Sequence, residues 1–295
     1  MNRLVWIFGS SRSGSTWLLR MLSEVEGVVP IDDPHLGHHL GVWRPIPLAW
    51  ATSPEPPDLT TLLEVKKDQP GYFFAERYRE HWWEPLKSLI EARFEAQGAD
   101  HLNGFDGDPV YVVKEPGSHV AGLLTELFPE STMIFLLRDG RDVVDSWLAA
   151  YQDGSWAIPE GAFPVAPWGR LALVRWLADV WAFRTTEVRR AYEAHDPRRR
   201  VLVRYEDLRA DTPAALEQIC SASGLPAGSP ERIAEAHAFE QVPMEERGEA
   251  KAIRSAQPGA WRENLTPEEQ EAVQEIMGPN LAELGYQTRA AVSAA

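Results

Sequence analysis

The sequence predicts an α/β fold, a three-layer sandwich built on a central parallel sheet. Short β-prone runs alternate with segments of helical periodicity along the 295 residues, the pattern of parallel strands joined by helical crossovers. Two of the runs, Leu4–Phe8 and Thr132–Leu137, are almost continuously apolar, as strands covered on both faces require. A turn rich in glycine and serine separates the first run from the first helical segment. Ligands of such folds bind beyond the carboxyl ends of the strands.

Taken in order, residues 4–8 form the first strand. From Ser15 the apolar residues Trp17, Leu18, Met21, Leu22 and Val25 recur at helical spacing, and Gly27 stops that helix. Residues 28–31 form a second short strand, which leads into the loop Asp32-Asp33-Pro34-His35. Prolines and tryptophans crowd residues 41–72, among them Trp43, Pro45, Pro47, Trp50 and Pro54, which is the composition of an irregular excursion. Helix is expected over 74–96, strand over 111–114, helix over 120–128, strand over 132–137 and helix again after Asp139. A long helix fits 171–194 and a further strand 201–204. Thr212-Pro213 and Thr266-Pro267 open helices over 212–223 and 267–277, because proline fits the first helical turn. No internal repeat interrupts this series, so a single domain over 1–295 is expected.

Composition excludes several functions. With 44% hydrophobic and 25% charged residues the chain has the make-up of a globular protein with a full core. A formal charge of −15 argues against a nucleic-acid partner, since phosphate neutralisation needs an excess of Lys and Arg. The single cysteine, Cys220, leaves no intrachain disulfide and no zinc-binding Cys/His spacing. The adjacent His38 and His39 lack a third metal ligand at a suitable interval, so no metal is expected. The N-terminal apolar run is shorter than a signal-peptide core, and no stretch reaches the roughly 20 apolar residues of a membrane span. A cytoplasmic protein without a membrane partner is the expectation.

The first chemical signal is Gly9-Ser10-Ser11-Arg12-Ser13-Gly14-Ser15-Thr16. Between a strand and a helix, such a loop turns its backbone N–H groups and the helix N-terminus toward an anion, and a phosphate suits that cradle. A serine-rich turn that merely caps a helix is the alternative. A nucleoside-triphosphatase loop reads GxxxxGK[ST]; here Ser15 stands at the lysine position and Arg12 supplies a cation instead.

These residues, continued through Trp17, resemble the 5′-phosphosulfate loop of sulfotransferases, in both the Lys-containing cytosolic and the Arg-containing Golgi or bacterial versions. The segment from Phe135 through Arg138, Asp139 and Arg141 to Ser146 resembles the family's 3′-phosphate signature, a strand-end arginine with a serine eight residues on. Physically, an arginine and a helix hydroxyl can converge on one phosphate, although Arg-Asp at a strand end also fits a structural ion pair. Tyr205-Glu206-Asp207 is similar to the segment whose tyrosine lies near the adenine; a core aromatic would look the same. The run from Arg254 through Gly259 to Trp261 and Arg262 resembles the C-terminal RKGxxGDWK block. Ser255 and Ala256 replace its Lys and Gly, which leaves Arg254 as the cation of that segment. Val112-Val113-Lys114 matches a strand ending in a lysine that the family places at the sulfuryl group. The resemblance spans residues 4–286 and implies a P-loop-like sulfotransferase fold.

The catalytic base is more open. Cytosolic members carry a histidine two residues after the strand-end lysine, where this chain has Pro116. Golgi and many bacterial members use a carboxylate on the loop after the first helix and second strand, which here selects Asp33 over Asp32. Both aspartates could equally end a strand in a solvated turn. His35, Glu115 and His119 are the alternatives.

The resemblance therefore implies transfer of a sulfuryl group from 3′-phosphoadenosine 5′-phosphosulfate, with adenosine 3′,5′-bisphosphate as product, to a hydroxyl, less readily an amine, of a small molecule or carbohydrate. It assigns Ser11, Arg12, Ser13, Gly14, Ser15, Thr16 and Trp17 to the 5′ side and the adenine, and Arg138, Ser146, Tyr205, Arg254 and Gly259 to the rest of the nucleotide. Asp33, Arg12, Lys114 and His35 become the catalytic candidates. The acceptor surface is expected within about 36–110, where Trp43, Trp50, Trp82 and Trp83 could line an apolar pocket. An ATP-dependent small-molecule kinase on the same fold, which would need magnesium, and a non-catalytic nucleotide-binding module are the competing readings. The sequence names neither acceptor nor oligomeric state.

Overall fold

The computed structural model describes residues 3–40, 69–102, 105–159, 165–166, 169–226, 228–248, 251 and 256–288. In chain order the elements are β1 (Leu4–Phe8), α1 (Ser15–Leu22), β2 (Val28–Asp32), α2 (Leu36–Leu40), α3 (Arg79–His101), β3 (Val110–Lys114), α4 (Ala121–Leu127), β4 (Thr132–Leu137), α5 (Gly140–Ala150), α6 (Arg170–Ala194), β5 (Arg200–Arg204), α7 (Tyr205–Ala210), α8 (Thr212–Ser223), α9 (Pro230–Ala236), α10 (Trp261–Asn264) and α11 (Pro267–Glu283). They form two compact units.

The first unit, drawn from Met1–Trp43, Asp58–Leu137 and Glu187–His237, holds the sheet. Its five strands run in the order β2-β3-β1-β4-β5, and every neighbouring pair is parallel. Every residue of β1, β3 and β4 is buried, which is why these strands read as unbroken apolar runs. Alternation then sorts their side chains. Val5, Ile7, Val112, Ile134, Leu136, Val201 and Val203 pack with Leu18 and Leu22 of α1 and with Leu216 and Ile219 of α8. Trp6, on the opposite face, stacks on Phe8 at 5.5 Å and meets Phe94 of α3 and Phe128. Helices thus cover both faces. The chain leaves β1 toward β2 on one side and β4 toward β5 on the other, so the strand order reverses between β1 and β4.

The second unit comprises Arg44–Pro57, Arg138–Thr186 and Ala238–Ala295. Asp139 caps α5 by accepting from the Arg141 N–H at 3.0 Å. In α11, Thr266 and Glu269 form a reciprocal capping box, and Glu269 also pairs with Arg170 at 2.6 Å. Met277 and Leu281 are both fully buried, and Asn280 donates to the Thr186 hydroxyl and the Ala182 carbonyl. That stripe carries α11 through Gly278 and Pro279 to Glu283, six residues past its expected end. Helix α3 is likewise displaced. Residues 69–78 are taken up by successive turns (Tyr72 N–H to Gln69 O, Ala75 to Tyr72, Tyr78 to Ala75), so the helix starts at Arg79 rather than 74. Tyr205 is the first residue of α7.

The turn between β1 and α1 depends on Gly14. This residue is left-handed (φ 89°), and a Cβ there would lie 2.7 Å from the Tyr205 ring. An Ala substitution meets both backbone strain and the ring. We expect Gly14→Ala to cost about 1–3 kcal/mol in denaturant unfolding. An unchanged unfolding midpoint would show that the loop relaxes freely.

Candidate active site

Within the first unit the predicted residues gather where β1, β2 and β3 end. The loop after β1 is wound on itself: Ser13 donates to the Ser10 carbonyl from both its N–H (3.2 Å) and its hydroxyl, and Arg12 is left-handed (φ 72°). Ser118, which the sequence did not single out, ties this loop to the one after β3. Its hydroxyl accepts from the Gly9 N–H at 3.1 Å and donates to the Gly9 carbonyl. At the head of α1, Gly14 supplies no side-chain cap, so no side chain of its own competes with an anion for the first N–H groups.

Lys114 closes the cluster. Its ammonium donates to the Thr16 hydroxyl at 2.8 Å and to an Asp33 oxygen at 2.9 Å, and it is ion-paired with an Asp32 oxygen at 2.6 Å. Lys114 is only 6% exposed, whereas the two aspartate side chains lie toward solvent. Such burial is tolerated because the charge is paired. Asp33 donates its N–H to the Lys114 carbonyl at 3.2 Å, and both Asp33 (φ 48°) and His35 (φ 56°) are left-handed, a conformation that costs non-glycine residues energy.

Glu115 points the other way and is 1% exposed. Its carboxylate accepts from the N–H groups of Leu36 (2.8 Å), Gly37 (3.2 Å) and Gly117 (2.6 Å). Burial raises its pKa above the ordinary 4.5, while those three N–H groups pull it back down. His35 is exposed and stacks on His38, their Nδ1 atoms 2.9 Å apart. His119 lies in the short 3-10 turn Ser118–Val120.

Trp17 is half-buried. Its indole N–H donates to the His237 carbonyl at 2.8 Å, Tyr205 meets it edge-on at 6.3 Å, and the Arg209 guanidinium lies 5.6 Å from its ring centre. Arg209 comes one helical turn after Tyr205 on α7, so i,i+4 spacing was the signal that could have found it. Of the tryptophans considered for a pocket, Trp82 is buried, with its N–H on the Ala75 carbonyl at 3.1 Å. Trp83 carries Arg79 on its face at 3.7 Å. Trp43 and Trp50 lie outside the described residues.

In the second unit, Arg138 precedes the α5 cap and Ser146 lies on α5, both half-buried. Asp142, which sequence reasoning missed, accepts from the Gly259 N–H at 2.7 Å and the Trp261 N–H at 3.2 Å, and so fixes the C-terminal block to α5. Burial raises its pKa, and Arg138 lowers it. Arg141 pairs with Asp139 and lies over Trp261 at 4.3 Å. Arg254 lies outside the described residues.

Among the described residues no group of three or more His, Cys, Asp or Glu could hold a metal ion, and no helix is long and apolar enough to cross a membrane. A search of curated proteins found no significant match. Solved structures share the fold. Mouse sulfotransferase SULT7A1 complexed with PAP is 13% identical, with 96% of this chain and 85% of that chain covered at a TM-score of 0.55. The sulfotransferase domain from the curacin biosynthetic pathway is 16% identical, with 98% and 99% covered at 0.52. Sulfotransferase STF9 from Mycobacterium avium is 14% identical, with 97% and 78% covered at 0.53. The family model described as "Sulfotransferase family" matches residues 5–229, most of the sequence and every element of the Lys114 cluster, and the chain therefore belongs to the sulfotransferase family.

Proposed function

We propose that the protein transfers a sulfuryl group from 3′-phosphoadenosine 5′-phosphosulfate to a hydroxyl, less readily an amine, of a small-molecule or carbohydrate acceptor. One observation carries the reading: a single buried ammonium, Lys114, touches both Thr16 of the phosphate loop and the Asp33 carboxylate. A cation between an anion cradle and a base is what in-line displacement at sulfur needs. The donor supplies an activated sulfuryl group, and adenosine 3′,5′-bisphosphate is its leaving group.

The loop N–H groups, Arg12 and the Thr16 hydroxyl hold the 5′ end and stabilise charge on the bridging oxygen as its bond to sulfur breaks. Ser11, Ser13, Gly14 and Ser15 shape that cradle. Lys114 exchanges part of its carboxylate pairing for the sulfuryl oxygens. Asp33 takes the acceptor proton as the new oxygen–sulfur bond forms, and its neutralisation frees the ammonium it had paired. His35 is the alternative acceptor of that proton, whereas Glu115 already serves three backbone N–H groups. Trp17 and Tyr205 hold the adenine, and Arg138, Ser146, Arg254 and Gly259 serve the 3′-phosphate. Incubating the protein with labelled donor and an acceptor panel, followed by mass spectrometry, tests the reading; label in no acceptor would count against it.

Three further outcomes are expected. Calorimetry should show adenosine 3′,5′-bisphosphate binding at least about a hundredfold more tightly than AMP, since two charged hydrogen bonds at roughly 1.5–3 kcal/mol each amount to that. Equal affinities would remove the 3′-phosphate assignment. Arg12→Ala should lower kcat more than affinity for the product nucleotide, because its charge is needed most in the transition state; a raised donor KM alone would make Arg12 a binding residue. Asp33→Asn should reduce kcat by about 10²–10⁴-fold with product binding intact, and Asp32→Asn by less. Retention of activity in Asp33→Asn, with loss in His35→Ala, Glu115→Gln or His119→Ala, would move the base to that residue.

A further inference from the structure

We propose that Glu115 is a positioning residue, whose carboxylate fastens the segment after β2 to the loop after β3 so that Asp33 stays beside Lys114. The inference rests on Asp33 as the base of the proposed reaction. Lys114 and Glu115 are consecutive, and at a strand end consecutive side chains point to opposite sides. Lys114 reaches the start of the segment, at Asp32 and Asp33, while Glu115 reaches Leu36 and Gly37 a few residues on. Two neighbouring residues at the end of β3 thereby hold both ends of one short stretch of chain.

That stretch needs holding. Asp33 and His35 are left-handed, and such backbone persists only where the surroundings over-determine it. Gly37 also crosses Gly117 at backbone contact: a Cβ on Gly37 would lie 2.1 Å from the Gly117 carbonyl oxygen, and one on Gly117 would lie 2.5 Å from the Gly37 Cα. Both glycines at this crossing present their N–H groups to Glu115 Oε1, and the Leu36 N–H is met by Oε2. A carboxylate is the side chain for this place, since it only accepts, with two oxygens against three donors. A Gln amide would put an NH2 among those donors and leave at least one unsatisfied.

The test pairs amide hydrogen exchange with kinetics on the full chain. Glu115→Gln should speed exchange at Leu36, Gly37 and Gly117 while the phosphate-loop amides keep their rates. With the best acceptor of the labelled-donor screen, its kcat should fall by about 10–100-fold, with adenosine 3′,5′-bisphosphate affinity changed by less than about threefold. In an Asp33→Asn background the same substitution should cost less than about threefold more, because its effect passes through Asp33. Gly37→Ala, which disturbs the crossing without touching the carboxylate, should reproduce the loss and keeps the proposal testable if Glu115→Gln fails to fold. Unchanged exchange at those three amides, unchanged kcat in either variant, or an equal loss with and without Asp33 would overturn the proposal. If Asp33→Asn alone keeps the wild-type rate, the base assignment falls, and the exchange measurement still decides whether Glu115 holds the segment.

Discussion

The Lys114 ammonium is the charge around which the site is organised. Taking an ammonium out of water costs several kcal/mol unless it is paired and hydrogen-bonded. Sheet topology supplies the partners. In the order β2-β3-β1-β4-β5, β3 lies between β2 and β1, so the residue at its carboxyl end is flanked by the loops that leave both neighbours. Asp32 pairs directly with Lys114 in the β2–β3 register, Asp33 comes next, and Thr16 lies in the first turn of α1 beyond the β1 loop. Any other placement of β3 would separate the lysine from one of these groups. The same strand order that builds the sheet therefore brings the loop after β1, a cation and a carboxylate to one point.

Around that point the backbone is under strain that the rest of the unit sustains. Left-handed Arg12, Asp33 and His35 and the contact between Gly37 and Gly117 lie in the segments after β1, β2 and β3. Ser118 joins the first of these segments to the third, and Glu115 joins the second to the third. Both ties run from a buried side chain to backbone groups, so they fix the path of the chain rather than the chemistry of any one residue. The fully buried strands beneath supply the rigidity on which a precise arrangement of loops depends.

All five strands were legible to within one residue: β1, β3 and β4, buried throughout, leave apolar runs that no amphipathic helix mimics, while the partly exposed edge strands β2 and β5 are short β-prone runs. Helix starts at Thr212 and Pro267 were legible for an equally local reason, a proline in the first helical turn. Where tertiary packing decided, the sequence misled: α11 continues past Gly278 and Pro279 because Leu281 still has a core to enter, and α3 starts late because consecutive turns consume the chain before it. In the site, Lys114, Thr16 and Asp33 were named beforehand from the motifs that resemble the family's, and the fold brings the three together. The roles of Ser118, Glu115 and Asp142 could not. Each acts on backbone N–H or C=O groups of a distant segment, and side-chain identity carries no trace of which amides it will meet.

The most direct test of the Lys114-centred account needs no acceptor. Lys114→Met keeps the length of the side chain and removes the charge, and affinities of 3′-phosphoadenosine 5′-phosphosulfate and adenosine 3′,5′-bisphosphate can be compared in wild type and variant by calorimetry. If Lys114 faces the sulfuryl group, the donor should lose at least about tenfold more affinity than the product, the equivalent of one charged hydrogen bond. Equal losses for the two nucleotides would contradict the account and leave Lys114 as a structural partner of Asp32, Asp33 and Thr16.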